Sequence, residues 1–384
     1  MRTRLSSLAL STFIALCAAN LSANDVDMNQ LQKDLEQLKA KTSSMEAQLE
    51  SNSKSGFQLA GYAAFDFKSA QDGNAEFSGV KFAPIFHAKY GDIFQFEGEI
   101  EFTTDTAGET VIELEYAAGT IFLNDYMGLQ LGKFMSPLGQ FVQNQHPSWI
   151  NKLPSAPLGF GHDGAAPTSY VGAALRGGLP KVAGLRHNYA LFVANAPTFG
   201  QAADGDTVVA VTGKTSTNGA QLNVGGRYAL NPIGGMEIGI SGAYGKIAEQ
   251  LTATTIIGGS VADQLINRDY AAYGADFMYN INSFDIKAEY IQQDIGENDL
   301  SQLVGGTWKA VYAQFSYQFG SVPLEPVIRY SKYSNPEAEK SQIAAGLNYL
   351  FANNLIVKIA YESTNNDTTS TTSDSVQAQL AFGF

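Results

Sequence analysis

Residues 93–103 read Ile-Phe-Gln-Phe-Glu-Gly-Glu-Ile-Glu-Phe-Thr. The apolar residues at positions 94, 96, 100 and 102 fall on one side of an extended strand. Gln95, Glu97, Glu99 and Glu101 fall on the other side. Alternation with a period of two is the pattern of a β-strand with one apolar and one polar face. Because this pattern recurs in sixteen segments and continues to the last residue, it predicts an all-β fold.

The chain has 384 residues, which could form two or three soluble domains, but a single large β-barrel is also this size. Charged residues make up 16% of the chain, below the roughly 25% typical of soluble domains. The mean hydropathy is only −0.10, as expected where apolar residues occupy alternate positions. The formal net charge of −13 argues against nucleic acid as a partner.

The first 23 residues have the features of a secretory signal. Arg2 and Arg4 form a basic start, and an apolar stretch follows over residues 8–19. Cys17 is the only cysteine, so cleavage would leave a mature chain without thiols or disulfides. After this signal there is no run of 18 apolar residues, and any membrane crossing is therefore expected to use strands.

Residues 24–50 also depart from the strand pattern, and we interpret them as a short periplasmic α-helical coiled coil. Its seam has apolar residues at spacings of three and four, with one threonine: Met28, Leu31, Leu35, Leu38, Thr42, Met45 and Leu49. Over residues 28–49 this seam is about 33 Å long. Self-association of the chain is one reading, and a lone helix packed on the barrel is the other. Residues 51–56 are expected to be a linker.

Residues 57–384 predict a 16-stranded antiparallel transmembrane β-barrel. The predicted strands are 57–69, 76–90, 93–103, 110–123, 126–135, 168–178, 186–195, 220–230, 235–246, 268–280, 283–293, 306–319, 324–333, 341–351, 354–363 and 375–384. Tight turns alternate with longer polar loops such as 196–219, 247–267, 294–305 and 364–374, which is typical of outer-membrane barrels. A β-sandwich also alternates, but sixteen strands without a disulfide favour the barrel. An even strand number places both chain ends at the periplasmic rim.

Inward-facing parity assigns charged residues to the lumen. The predicted acidic wall is Glu97, Glu99, Glu101, Glu113 and Glu115. The predicted basic wall is Lys81, Lys89, Arg176, Arg186, Arg227 and Arg329. Unlike charges on separate walls would set a transverse field that orients permeating solutes. The alternative is that these charges form salt bridges that only hold the wall together.

The connection 136–167 is far longer than usual. Its proline content and apolar side chains, including Phe141 and Phe160, favour packing over free exposure to solvent. It is either a lid over the barrel mouth or a loop folded inward that narrows the lumen. For the inward loop, the candidates to line the constriction and meet solute are His146, Trp149, Lys152, His162 and Asp163.

Two motifs carry a family resemblance: Gly-Lys-Phe-Met-Ser-Pro-Leu-Gly at 132–139 and His-Pro-Ser-Trp-Ile-Asn-Lys at 146–152. With the glutamate row and the heptads, they resemble the phosphate-selective porin O and P superfamily of Gram-negative outer membranes. The resemblance implies a homotrimeric porin whose third long loop constricts the pore. It also implies that Phe384 is the aromatic end recognised by the barrel-assembly machinery. The acidic lumen departs from the basic ladder of phosphate-selective members.

Motifs for other functions fail. Gly213-Lys214-Thr215 lacks the first glycine of a phosphate-binding loop, because Val208 stands in its place. The four histidines have no metal-ligand spacing, so we expect no metal, no cofactor and no enzymatic activity.

The sequence therefore predicts a passive diffusion channel for small hydrophilic solutes and ions. Two alternatives stay open: a selective channel for phosphate or dicarboxylates, and a structural protein that tethers the envelope through its coiled coil. Sixteen strands leave an aqueous lumen that a mere anchor does not need. The expected partners are outer-membrane lipid, small solutes, the barrel-assembly machinery and the protein itself as a homotrimer, through the barrel and residues 28–49.

Overall fold

The computed structural model divides the chain into two units, Met1–Ser55 and Gly56–Phe384. The described residues are 36, 39, 41, 42, 55–71, 73–104, 107–161, 164–182, 184–201, 208–211, 221–251, 257 and 264–384. The four described residues before 55 are helical and exposed. The predicted signal, nearly all of the predicted coiled coil and most of the linker lie outside the described residues. Residues 55 and 56, predicted as the end of the linker, belong to the first strand.

The described residues from 55 onward form eighteen strands. They are β1 (Ser55–Ala70), β2 (Ala75–Tyr90), β3 (Phe94–Thr104), β4 (Thr110–Asn124), β5 (Met127–Met135), β6 (Ser169–Val182), β7 (Leu185–Asn195), β8 (Thr198–Gln201), β9 (Val208–Val211), β10 (Leu222–Asn231), β11 (Met236–Leu251), β12 (Gln264–Ile281), β13 (Phe284–Ile295), β14 (Gly306–Tyr317), β15 (Leu324–Ser334), β16 (Glu339–Ala352), β17 (Leu355–Asn366) and β18 (Thr371–Gly383). Sixteen of them match the predicted strands. The short β8 and β9 lie inside the predicted loop 196–219, and most of the predicted loop 364–374 is strand.

The sixteen long strands form a closed antiparallel barrel, as predicted. Each pairs with its neighbours along the chain, and β7 pairs with β10 across the β8–β9 hairpin. The first and last strands close the sheet, with Tyr62 opposite Gly383 and Ala70 opposite Ser375. β8 also pairs in parallel with β11. Closure leaves no long edge strand unpaired in the barrel.

The alternation of the sequence places apolar side chains outside and polar side chains inside. On β17, Ile359 and Tyr361 point outward and are about half exposed, whereas Lys358 and Glu362 point inward and are buried. This arrangement inverts that of a soluble protein and is the pattern of strands that cross a membrane. No described helix is long and apolar enough to span a bilayer.

The inside of the barrel also contains an apolar cluster. Residues of the connection between β5 and β6 pack there against inward aromatic residues of the wall. The largest members are Phe134, Phe141, Phe160, Tyr170, Phe192, Tyr270, Trp308 and Tyr312. This cluster fills one side of the lumen and fixes the position of the connection described next.

Candidate functional site

The connection between β5 and β6, here called the long loop (residues 136–167), folds into the barrel. Leu153 is fully buried against Val327, Ala344 and Ala360 of the wall. Phe160 packs edge-on against Tyr312, with ring centroids 4.9 Å apart. The inward loop is therefore confirmed, and the lid over the mouth is wrong. Proline-rich apolar sequence favours this outcome because such a segment gains more from burial than from solvent.

The first anchor of the long loop is Glu289 on β13. Its carboxylate accepts the backbone N–H of Phe141 at 2.9 Å, where the short π-helical turn Phe141–Gln145 begins. A carboxylate at this position satisfies one of the unpaired N–H groups of a helix start. Gly139 has a φ of +83° and lies so close to Glu289 that a side chain would displace the carboxylate.

A second anchor joins the loop to β15 and β16. Lys152 Nζ lies 2.7 Å from Glu325 Oε1. Asn348 donates to the carbonyl of Lys152 at 2.9 Å and to Glu325 at 3.1 Å. Lys152 was a candidate to meet solute, and the structure places it in this partly buried ion pair on the wall.

A third anchor uses β15 and β17. Arg329 donates to the Ser155 carbonyl at 2.9 Å, the Ser155 hydroxyl at 2.7 Å and the Ala156 carbonyl at 3.2 Å. The Ser155 hydroxyl donates in turn to Glu362. Arg329 was predicted to line the pore, but it is only 1% exposed because the loop covers it.

The middle of the loop, at Ser148 and Trp149, lies against the last two strands. Lys358 on β17 is buried and donates to the Ser148 carbonyl and to Gln379 of β18. The ring of Trp149 lies against Gly383, where an added Cβ would be 3.0–3.1 Å from the indole. Together these anchors define a covered wall: Glu289, Glu325, Arg329, Asn348, Lys358 and Glu362.

The predicted acidic residues all point into the lumen from β3 and β4. A register shift opposite Glu99 and Ile100 leaves Glu115 as an extra residue, so Glu115 and Tyr116 face the same side. Glu101 lies 2.8 Å from Lys81, and Tyr62 donates to Glu99 at 2.9 Å. We call seven of the inward charges of β1–β4 the open wall: Asp66, Lys81, Glu97, Glu99, Glu101, Glu113 and Glu115. Lys68 and Lys89 have the same inward parity nearer the ends of β1 and β2.

His146 is the loop residue that faces the open wall most directly. Its Nε2 lies 3.9 Å from Glu99 Oε1, while Nδ1 is 2.6 Å from the carbonyl of Val142. His162 and Asp163, the other two titratable candidates of the loop besides Lys152, lie outside the described residues.

The predicted basic residues do not form one continuous wall. Lys81 and Lys89 lie on β2, beside the acids, and Lys89 is 3.7 Å from Asp92 at the rim. Arg227 is held between Glu237 at 2.7 Å and Asp276 at 2.6 Å. Arg186 is exposed at the start of β7.

Arg176 differs from the other arginines. The hydrogen bond that positions it runs from Nη1 to Gln130 Oε1, a neutral partner, at 3.2 Å. Arg176 and Arg227 both line a cavity of about 250 Å³ next to the long loop.

A second cavity, of about 240 Å³, lies between the long loop and the open wall. Asp66, Lys81, Glu101 and Glu115 line it on the barrel side, and His146 lines it on the loop side. The covered wall and the aromatic cluster fill the opposite side of the lumen. The loop therefore narrows the lumen asymmetrically, against the acidic strands. Within the described ranges, no group of three or more His, Asp or Glu side chains could hold a metal ion.

Sequence reasoning missed the lumen aromatics that receive the loop. Tyr170, Phe192, Tyr270 and Tyr312 occupy inward positions where parity predicts polar residues. Aromatic residues on the inward parity of β6, β7, β12 and β14 were the available signal that something apolar packs there. The predicted assembly residue Phe384 points outward and stacks on Phe82, with centroids 6.0 Å apart.

Comparison with known proteins supports the barrel architecture. No family model matches the sequence, and no curated protein matches it. Among solved structures, the anion-selective porin of Comamonas acidovorans is 14% identical, with a TM-score of 0.55 over 86% of this chain and 100% of that one. The outer membrane channel DcaP of Acinetobacter baumannii is 10% identical, with a TM-score of 0.54 over 86% and 97%. A loop L8 deletion mutant of the outer membrane protein OmpT of Vibrio cholerae is 12% identical, with a TM-score of 0.55 over 86% and 100%. At these identities the likeness establishes the fold alone, a 16-stranded antiparallel transmembrane β-barrel.

Proposed function

We propose that this protein is an outer-membrane channel for the passive diffusion of small hydrophilic solutes and ions. The observation that carries the proposal is the long loop, which is anchored to the covered wall and leaves a cavity against the open wall. A 16-stranded barrel has an aqueous lumen, and an inward loop that narrows it is a filter for solute size. The exposed apolar outer face supports outer-membrane lipid as its surroundings.

The charges along the cavity favour a moderate preference for cations. The open wall presents more carboxylates than ammonium groups to the cavity. On the other side, Arg227 is neutralised by two carboxylates, and Arg329 is covered by the loop. A channel selective for phosphate or dicarboxylates needs several cations that face the solute together. The described residues offer Arg176 as the arginine best placed for that role, which supports the general channel over the anion-selective alternative.

Self-association as a homotrimer, recognition of Phe384 by the barrel-assembly machinery and periplasmic placement of the N-terminal segment stay predictions. The envelope-tethering alternative rests on residues 28–49, of which four are described. Its test is deletion of residues 24–50: if the envelope stays intact while conductance persists, tethering is wrong.

The channel is tested by reconstitution into planar bilayers with a KCl gradient. We expect discrete conductance steps and a reversal potential whose sign shows that K⁺ crosses more readily than Cl⁻. Heat-denatured protein at the same concentration is the control. Absence of conductance steps contradicts the channel, and a reversal potential of the opposite sign contradicts the cation preference.

A further inference from the structure

The cavity between the long loop and the open wall has two chemically different sides. On the barrel side it is lined by three carboxylates and one ammonium group, from Asp66, Glu101, Glu115 and Lys81. On the loop side it is lined mainly by apolar side chains. The apolar ones are Phe141, Val142, Pro154, Ala156 and Phe160, and the polar ones are His146, Ser148 and Asn151. Met135, the last residue of β5, also borders the cavity. A small cavity with one acidic and one apolar side is complementary to a molecule that has a cationic part and an apolar part.

The acidic side is held in place and only partly neutralised. Glu101 is 8% exposed and bonded to Lys81 at 2.8 Å and to the Tyr62 hydroxyl at 3.3 Å. Glu115 is 4% exposed and directed inward by the bulge in β4. Lys81 lines this side, and Lys358 lies near Asp66, because both bond Gln379. The three carboxylates therefore still outnumber the two ammonium groups. In a narrow space with little water, such an excess attracts cations more strongly than it would in bulk solvent.

The apolar side is backed by two packed aromatic rings, Phe141 and Phe160, each 3% exposed. The rings of Phe141 and Phe160 are 6.1 Å apart in an edge arrangement, and both pack edge-on against Tyr312. The bond from the Phe141 N–H to Glu289 fixes the backbone behind them. Aromatic rings cover the apolar part of a solute and attract a cation that approaches their faces.

We infer that this cavity binds small organic cations that carry an apolar group, such as aryl- or alkylammonium ions, during their passage. The inference rests on the proposed channel and specifies its preferred solute. An inorganic cation gains little from the aromatic side, which cannot replace its hydration shell. An organic anion of the same shape is repelled by the carboxylates of the acidic side. With about 240 Å³, the cavity is smaller than the roughly 300–1,000 Å³ of drug-sized ligand sites, which limits the cation to a small amine.

The test compares three probes as blockers of the K⁺ current through the reconstituted wild-type channel. 2-Phenylethylammonium has both features, ethylammonium lacks the ring, and 3-phenylpropanoate has the ring with the opposite charge. We expect half-block by 2-phenylethylammonium at a concentration about tenfold lower than for either other probe. Equal half-block concentrations overturn the inference and leave the proposed channel standing. A protein that passes no K⁺ overturns both.

Two substitutions assign the effect to the two sides. Glu115→Gln removes a charge with little change of shape, and Phe160→Leu removes an aromatic ring while the side stays apolar. Each is expected to raise the half-block concentration of 2-phenylethylammonium about three- to tenfold, while that of 3-phenylpropanoate does not rise. The control is Glu337→Gln, which makes the same glutamate-to-glutamine change at an exposed loop residue. It should leave the half-block concentrations of all three probes unchanged. If both lumen variants conduct K⁺ and block as wild type does, the cavity is not the binding site.

Discussion

The covered wall and the open wall are both built from inward charges on transmembrane strands, yet their side chains have different surroundings. On the covered wall, the side chains of Arg329 and Glu325 are 0% and 3% exposed, because the long loop lies on them. On the open wall, Lys81 and Glu97 are 30% and 36% exposed, whereas Glu99, Glu101 and Glu115 are buried without being covered by the loop anchors described above. Strand parity is the same for both sets, so contact with the long loop, which parity does not show, is what separates Arg329 and Glu325 from Lys81 and Glu97.

The largest expected effect comes from removing the arginine of the covered wall. Arg329→Ala leaves two loop carbonyls and the Glu362 carboxylate without this donor in a buried place. The free energy of unfolding in detergent should fall by about 3–5 kcal/mol, because an uncompensated buried charge remains. Single-channel K⁺ conductance should rise, because this stretch of the loop is released from the wall.

The matched control is Arg186→Ala, which removes an exposed arginine at the rim. It should change the free energy of unfolding by less than about 0.5 kcal/mol. Equal effects of the two substitutions would show that the loop does not depend on the covered wall.

A smaller effect is expected at the glycine that faces Glu289. Gly139→Ala places a side chain where φ is +83° and pushes the Glu289 carboxylate away from the Phe141 N–H. The strained backbone and the weakened anchor together should cost about 2–4 kcal/mol, measured by urea unfolding.

Gly108 provides the comparison for backbone strain alone. It has a φ of +82°, and an added Cβ meets no atom within 4 Å. Gly108→Ala should therefore cost only about 1–2 kcal/mol. If Gly139→Ala costs no more than this, the contact with Glu289 does not hold the loop.

The smallest effects, and the sharpest contrast, come from one substitution made on each wall. Glu362→Gln on the covered wall should lower the free energy of unfolding by about 1–3 kcal/mol and leave ion selectivity unchanged. Glu97→Gln on the open wall should leave stability within about 0.5 kcal/mol. It should instead move the reversal potential in a KCl gradient toward zero. If Glu362→Gln changed ion selectivity and Glu97→Gln did not, the covered wall and not the open wall would set the selectivity.

The strands and their facing could be predicted because both depend on local sequence. Alternation at Gln95, Glu97, Glu99 and Glu101 is enough to place four side chains in the lumen. The bulge that turns both Glu115 and Tyr116 inward has no such signal, since a register shift depends on the partner strand. The short β8 and β9 also escaped prediction, because four-residue strands are too short for periodicity to appear.

The surroundings of each lumen charge could not be predicted because they depend on where the long loop lies. Lys152 and Arg329 are 177 residues apart in number, and only the folded barrel brings both to one wall. The apolar residues of the loop favoured packing but left the inward loop and the lid both open. The aromatics that receive the loop, among them Tyr170, Phe192 and Tyr312, were not identified, because parity predicts polar residues at inward positions.

The contacts of Ser148 and Trp149 with β17 and β18 have a consequence for the order of assembly. The loop that carries these two residues is synthesised more than 200 residues before Lys358 and Gly383, its partners. Those partners take their places only when the last strands join the sheet and β18 pairs with β1. Sealing of the cylinder and completion of these two loop contacts therefore depend on the same pair of strands. A barrel that lacked β18 would be open at its seam and would also hold the middle of the loop by fewer contacts.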